Sequence, residues 1–255
     1  MEKIFKGQVA IISGGMGDIG FATALAMARR GAHIALCGRR PLPDVEDMLD
    51  QIRAQDVKCA YKEVDIADAA AVQVWVDEVR DTMGVAQLII ANAAITRIGG
   101  IHDITPQEWQ RDINVNLNGA FYMAQATTAL LLKHLLPGRV VFVGSWAGAR
   151  AHVHIPAYSV AKAGMTMLCK CMALELAPHQ ILVNEIAPGY VAAGLTGQIW
   201  KEDPENEKAA RARIPTGMAI TAAEVAEQIV YLCDPANRQM TGSTLLMDGG
   251  LSLKY

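Results

Sequence analysis

Six short apolar runs, each followed by a longer segment of helical character, and a seventh run near the C-terminus constrain this chain more than any other feature. "VAIIS" precedes a helix predicted over 19–30, "HIALC" one over 43–55, and "CAYKEV" one over 69–83. "QLIIAN" leads to 106–136, "RVVFVGS" to 155–177, and "ILVNEIAP" to a loop and then 221–232; "TLLM" comes last, before "DGG". Near-continuous apolar strands separated by amphipathic helices require a parallel sheet covered on both faces. The expected fold is a doubly wound, Rossmann-type α/β domain with a mostly parallel sheet. Its 255 residues are read as one domain, long enough to bury a substantial core. The segment 189–217 breaks the rhythm, being polar and turn-rich with the charged patch "KEDPENEK". Long insertions at the carboxyl edge of such a sheet are usually binding loops, so a substrate lid is expected there.

With 52% hydrophobic and 19% charged residues and a net charge of -3, nothing indicates disorder or a polyanion-binding surface, and nucleic acid is not an expected partner. The start "MEKIFKGQ" runs into a strand rather than a signal-type apolar stretch, and no segment reaches membrane-spanning length. A cytoplasmic protein without a membrane partner is expected. Cys37, Cys59, Cys169, Cys171 and Cys233 are odd in number and contain no CxxC pair. Neither a disulfide framework nor a metal site is indicated, and they read as small core residues.

"SGGMGDIG", Ser13 to Gly20, lies between the first strand and the first helix. There a helix N-terminus offers unpaired N–H groups to a pyrophosphate, and glycines let the backbone approach it. By spacing, Gly15, Gly17 and Gly20 satisfy GxGxxG. After the second strand comes "CGRRP", with Arg39 and Arg40 where an acidic residue would bind the ribose hydroxyls of NAD. An arginine there pairs instead with the 2′-phosphate of NADP, so NADP(H) is expected over NAD(H); two solvated surface arginines are the alternative. Asp65, closing the third strand in "VDIAD", falls near an adenine site or serves as an ordinary turn residue.

"AYSVAKAG" places Tyr158 and Lys162 four residues apart on one helix face. A nearby ammonium favours phenolate and lowers a phenol that ordinarily titrates near pH 10. Ser145, thirteen residues before Tyr158, ends the strand "VVFVGS" at the edge where ligands bind, and its hydroxyl can hydrogen-bond a substrate oxygen.

From about Gly7 to Gly250 the chain resembles the short-chain dehydrogenase/reductase family. Tyr158, Lys162 and Ser145 match its Tyr-x-x-x-Lys pair and upstream serine, and Asn116 in "NVNLNGAF" matches its active-site asparagine. "ANAA" resembles the Asn-Asn-Ala-Gly motif, keeping Asn92 and Ala93 but with Ala91 and Ala94 at the flanking places. Pro188 and Gly189 in "APGY" match the Pro-Gly that closes over the nicotinamide, and "MTGSTLLMDGG" resembles the C-terminal strand and turn. The resemblance implies an oxidoreductase moving hydride between a nicotinamide and a ketone, sugar, polyol or 3-oxoacyl thioester. It casts Tyr158 as proton donor and acceptor, and Ser145 as orienting the carbonyl or alcohol. Lys162 would bind the nicotinamide ribose and acidify Tyr158, and Asn116 would hold a water. The cofactor-binding set it implies is Ser13, Gly14, Gly17, Ile19, Gly20, Arg39, Arg40, Asp65, Ile66, Asn92, Ala93, Tyr158, Lys162, Pro188, Gly189 and Val191. The family's long helices usually pack against their copies, so 106–136 and 155–177 imply a homo-oligomer, tetramer or dimer. A non-catalytic nucleotide-binding relative would have lost Tyr158, Lys162 or Ser145, and all are present.

Three departures from the family pattern stand out. Short members usually carry Thr-Gly-x-x-x-Gly-x-Gly, which would put Asp18 at the second motif glycine. The sequence fits Thr-Gly-x-x-Gly-x-x-Gly instead, with Ser13 for threonine and Gly14, Gly17 and Gly20 as the glycines. A carboxylate facing a diphosphate is repelled, so Asp18 is expected to turn away and cap the helix start. Ala193 stands where many relatives place a threonine that bonds the carboxamide, with Thr196 as a substitute. The loop also lacks an arginine just before Asp18, leaving the cofactor preference to Arg39 and Arg40. Beside the catalytic groups, Ile95, Thr96, Trp146, His152, His154 and Tyr190 are the candidate pocket residues. No basic cluster among them demands an acidic substrate, and a small neutral carbonyl or alcohol is expected.

Overall fold

The computed structural model describes residues 2–254. Seven strands form a single sheet: β1 (Val9–Ser13), β2 (His33–Gly38), β3 (Cys59–Glu63), β4 (Leu88–Ala91), β5 (Gly138–Val143), β6 (Ile181–Pro188) and β7 (Thr244–Met247). Their order is β3-β2-β1-β4-β5-β6-β7, and every neighbouring pair is parallel. The period-2 alternation of strand side chains sorts the core into two layers. Ala10, Ile12, Ile34, Leu36, Leu88 and Ile90 face α1 (Asp18–Arg29), α2 (Glu46–Arg53) and α9 (Ala222–Cys233). Val9, Ile11, Ala35, Ile89, Val140 and Phe142 face α3 (Ala69–Met83), α5 (Gly119–Lys133) and α6 (Pro156–Leu176). Each of the valine, isoleucine, leucine and phenylalanine side chains among them contributes roughly 1.5–3 kcal/mol on burial, and this explains why both strand faces had to be apolar.

Two elements differ from the sequence reading. The helix expected over 106–136 is α4 (Pro106–Ile113), a π-helical turn over Asn114–Asn118, and α5 in one continuous rod. Apolar periodicity carries no mark of the extra residue that makes such a turn, and π turns recur at functional sites. The 189–217 segment, read as loop, holds two helices, α7 (Gly194–Glu202) and α8 (Pro204–Arg213). Its turn residues are helix-start signals: Asp203 accepts the Asn206 N–H at 3.0 Å and Pro204 takes the first helical position. An isolated bridge between Val191 and Ile220 ties the segment's start to the residues leading into α9.

Cys37, Cys169 and Cys233 are buried as expected, but Cys59 is half-buried at an edge strand and Cys171 is exposed on α6. Among the described residues, no helix is long and apolar enough to cross a membrane, and no group of His, Cys, Asp or Glu could hold a metal ion.

Candidate active site

Strand order reverses between β1 and β4, and side chains join the carboxyl ends of these two strands. The buried Ser13 hydroxyl accepts the N–H groups of Asn92 and Ala93, each at 3.1 Å. Asn92 Nδ2 donates in return to the carbonyls of Ser13 and Gly14, each at 3.0 Å. This clasp fixes where the glycine loop begins. Gly14 has φ +62, and a Cβ there would lie 2.8 Å from Ala93 Cα; one on Gly20 would lie 2.3 Å from the Gly14 carbonyl oxygen. Gly15 packs against Leu36, so three loop glycines are explained by the protein's own packing.

Gly17 is different. A Cβ there would approach nothing closer than the Gly14 oxygen at 3.5 Å, and Gly17 is the N-cap of α1 with no side-chain cap. The first-turn N–H groups of Asp18, Ile19 and Gly20 therefore have no helical acceptor. Open space before unpaired N–H groups at the positive end of a helix fits a pyrophosphate, so the residues present suit a dinucleotide. The aspartate does not obstruct it, nor does it cap its own helix. Asp18 Oδ2 accepts the N–H of Gly194, the first residue of α7, at 2.5 Å.

The two arginines after β2 part company. Arg40 turns back on its own chain, donating to the Asp44 carbonyl at 2.5 Å while the Tyr61 hydroxyl donates to the Arg40 carbonyl at 2.6 Å. Arg39 is exposed and, among the described residues, makes no hydrogen bond or ion pair. Asp65 is held by Arg111, whose Nη2 lies 2.7 Å from Oδ2, and by the Ala67 N–H. Partial burial pushes its carboxyl up, but Ala67, Arg111 and Arg39 together outweigh that and hold it below its ordinary value. Ile66 is buried beside it, and Ile19 lies half-buried in the first turn of α1.

At the end of β5, Ser145 caps a short 3₁₀ turn over Trp146–Gly148, its Oγ accepting the Ala147 N–H at 3.2 Å. Lys162 Nζ lies 5.5 Å from the Tyr158 ring centroid and donates to the Val143 carbonyl at 2.7 Å, two residues before Ser145. Asn116, buried in the π turn, accepts the Ile95 N–H at 2.9 Å and donates to the Ile95 carbonyl at 2.8 Å. Its amide thus pins the chain beyond β4, and both ends of that amide are occupied by Ile95.

The expected acidification of Tyr158 is not what these surroundings produce. Burial pushes the phenol above its ordinary value, and a hydrogen bond with Ser145 offsets only part of the rise. Lys162 is itself desolvated, its ammonium pulled down to about 8 with Glu185 opposing, and its Nζ is directed at Val143. Glu185 was not anticipated, although a carboxylate inside the fully buried strand "ILVNEIAP" was a visible signal. Its oxygens accept from Thr166 Oγ1 at 3.0 Å, one turn beyond Lys162, and from Thr244 Oγ1 at 2.6 Å. Burial raises its carboxyl, with Thr244, Thr166, Lys162 and Lys170 pulling the other way.

Beyond β6, Gly189 donates to the Met247 carbonyl at 2.8 Å, and Pro188 closes the strand. Val191 is buried at its bridge, Ala193 packs on the core, and Thr196 lies half-buried in α7. Trp146 stands edge-on to His152 at 4.6 Å and to Tyr190 at 5.4 Å, and Tyr190 meets Trp200 at 6.1 Å, so these rings build a wall. Ile95 is half-buried, Thr96 Oγ1 is buried without a partner among the described residues, and His154 is exposed. A cavity of about 740 Å³ around Arg139 and Leu182 opens at the opposite, amino-terminal edge of the sheet, away from these groups.

A dinucleotide cradle at the strand-order reversal, next to a serine, a tyrosine and a lysine, defines a nicotinamide-dependent oxidoreductase. The family model described as enoyl-(acyl carrier protein) reductase matches residues 15–252. The chain is 30% identical over 250 residues to L-xylulose reductase of Mesocricetus auratus, covering 98% of each chain. It is 30% identical over 246 residues to D-erythrulose reductase of Gallus gallus, covering 96% of each. Among solved structures, a short-chain type dehydrogenase/reductase of Mycobacterium marinum superposes with a TM-score of 0.91 at 28% identity, covering 98% and 97% of the chains. One from Agrobacterium tumefaciens, described as a 2-deoxy-d-gluconate 3-dehydrogenase with bound NADP, superposes with a TM-score of 0.88 at 29% identity, covering 98% of each. The chain belongs to the short-chain dehydrogenase/reductase family. It is an NAD(P)-dependent oxidoreductase that transfers hydride between nicotinamide and a carbonyl or secondary alcohol.

Burial of Lys162 has a pH signature. Its value in the fold, about 8, lies below the 10.5 of an exposed lysine, so the penalty for holding it charged is present in full below pH 8. That penalty is shed as pH rises from about 8 towards 10.5. The stability of the cofactor-free protein relative to a Lys162→Met variant should therefore increase between pH 8 and pH 10, read as a change in the difference between their melting temperatures. A constant difference across that window would show that the amine is not desolvated.

Proposed function

We propose that the protein is an NADP(H)-preferring reductase of small hydroxylated carbonyl compounds, with Tyr158 as the acid/base, and that it also runs as the corresponding alcohol dehydrogenase. The observation that carries the reading is the convergence of Ser145, Tyr158 and Lys162 at the carboxyl edge beside an open Gly17. The bound cofactor supplies or accepts the hydride. For reduction, Tyr158 gives its proton to the carbonyl oxygen, and the raised phenol keeps that proton in place until negative charge develops on the substrate. Ser145 donates a second hydrogen bond to the same oxygen. Lys162 orients the nicotinamide ribose and, when charged, favours phenolate for the reverse reaction. Asn116 holds the loop through Ile95 that flanks the substrate, and the π turn carrying it is the place for a proton-relaying water.

The cofactor preference rests on Arg39, which follows β2 and, among the described residues, makes no hydrogen bond or ion pair, although Asp65 lies within its field. The sugar and tetrulose reductases among the relatives support a polyhydroxylated ketone over a 3-oxoacyl thioester. The 189–217 segment acts as the lid, because its helices carry Trp200 and lead into Ile214, which packs with Trp146 and Leu251. A homo-oligomer is supported by Val160, Met167 and Leu174, which are spaced seven apart on α6 and are 50%, 59% and 83% exposed.

Three measurements test the reading. Tyr158→Phe should lower kcat by at least about 10²-fold, the lower range for loss of an acid/base group, while leaving NADPH affinity within a few-fold. Full turnover in that variant would remove Tyr158 from the acid/base role. The wild-type protein should bind NADPH more tightly than NADH, and Arg39→Ala should erase roughly a factor of 10–100 of that preference, the worth of a charge-assisted hydrogen bond; equal affinities in the wild type would rule out the arginine argument. Sedimentation should give a dimer or tetramer that Leu174→Glu dissociates, whereas a wild-type monomer would remove the α6 interface.

A further inference from the structure

A cavity of about 480 Å³ opens directly beyond Ser145, lined by Trp146, Arg150, His152, Arg213, Ser252 and Lys254 among others. Its cations come from three separate parts of the chain: Arg150 from the loop after β5, Arg213 from the end of α8, and Lys254 from the C-terminal residues. Among the described residues, no carboxylate lines it. Asp248, which touches the lining residue Ser252, spends its two oxygens on the N–H groups of Gly250 at 2.9 Å and Ser252 at 2.8 Å. Arg150 donates through Nη2 to the Ser252 carbonyl. Among the described residues, Arg213 and Lys254 form no ion pair.

We propose that this cavity is a substrate subsite for an anionic group, so that the physiological carbonyl or alcohol carries a carboxylate or a phosphate ester. The proposal deepens the reductase reading and rests on it, because it places the anion of the substrate next to the wall that begins at Ser145. Three like charges brought together cost free energy by mutual repulsion unless a counter-charge sits among them. No carboxylate among the described residues fills that role, and a ligand anion would. Arginine forks match carboxylate and phosphate oxygens geometrically, and both arginines keep donors free for a ligand. His152 adds a second observation. Its Nε2 is buried with no partner among the described residues, while its ring is held edge-on against Trp146. Burial, assisted by Arg213, holds the imidazole below its ordinary value. The volume falls within the range of small-molecule sites. None of the four residues touches the reacting atoms in the reading above, so they can be altered without dismantling the chemistry.

The test uses the protein saturated with NADPH, which keeps the Arg39 site filled, and small hydroxyketones in matched sets. Each neutral parent is compared with the keto acid having a carboxylate in place of its terminal CH₂OH, and with the corresponding phosphate ester. The expected result is a KM for one anionic member on the order of 10- to 100-fold below that of the neutral parent. Lys254→Ala should shrink that advantage while leaving kcat for the neutral parent unchanged, and Arg213→Ala should shrink it as well. Preference for the keto acid or for the ester identifies which anion the site takes. Turnover of neutral ketones with no anionic advantage, or an advantage that survives in both variants, overturns the subsite and leaves the reductase intact. If no ketone is turned over, it is the reductase reading that fails, and titration calorimetry of inorganic phosphate into the same NADPH-loaded protein decides the subsite. Binding that Arg213→Ala abolishes supports it, and no binding overturns it.

Discussion

The Ser13 hydroxyl and the Asn92 amide hold together the two strands between which the sheet changes direction, and the rest of the site depends on that clasp. Neighbouring helices on either side of such a reversal diverge, opening a crevice at the carboxyl edge. A crevice alone does not position backbone N–H groups to within a few tenths of an ångström. Four hydrogen bonds between β1 and β4, at 3.0 or 3.1 Å, do so here. Each is worth only about 0.5–1.5 kcal/mol net, but leaving its buried groups unpaired would cost more. The same logic continues along the chain. Beyond Asn92 the backbone would be free to wander, and the Asn116 amide stops it by pairing with both polar groups of Ile95. Two asparagines thus serve as the fixed points from which cofactor and substrate walls are measured.

The residues proposed for catalysis stand on a second, electrostatic foundation. Lys162 is 1% exposed, and a charge so far from water is tolerated only with partners. It has a carbonyl in Val143, and Glu185 on the neighbouring strand exerts a favourable field on it. Glu185 in turn is clamped by threonines from α6 and β7, and it packs so closely on Gly144 that a Cβ there would lie 2.0 Å from Oε1. The residue just before Ser145 must therefore be glycine to admit a carboxylate that serves Lys162. Desolvation pushes phenol and amine in opposite senses, so that the proton rests on the tyrosine. That is the state required of a donor to a carbonyl oxygen.

Legibility in the sequence followed the physics of each feature. Parallel strands were readable because burial on both faces leaves no polar alternation, and the helices because their apolar stripes repeat. Ser145, Tyr158 and Lys162 could be singled out because two of them share a helix face and the third follows a strand. What escaped was long-range or compensated. Asp203 and Pro204 look like loop residues until the helix they start is seen. The π turn at Asn114–Asn118 adds a residue without altering the apolar pattern. Arg150, Arg213 and Lys254 are scattered over more than a hundred positions, and only the fold brings them around one cavity. The rise of the Tyr158 phenol is hidden from the sequence for the same reason: a four-residue spacing reports that an ammonium is near, but not that the phenol is buried.

Asp18 shows how a residue that breaks a local rule can be satisfied from a distance. A carboxylate within the phosphate-binding loop would oppose the cofactor if its charge lay along the loop axis. By accepting the N–H of Gly194, it places that charge at the N-terminus of α7, where the helix dipole favours it. The contact spans 176 residues and joins the nucleotide cradle to the first turn of the 189–217 segment. Two helix starts then meet at one side chain: the first-turn N–H groups of α1 stay unpaired, and α7 has one of its own, that of Gly194, satisfied by the aspartate. A single side chain thus joins the glycine loop to the start of the 189–217 segment.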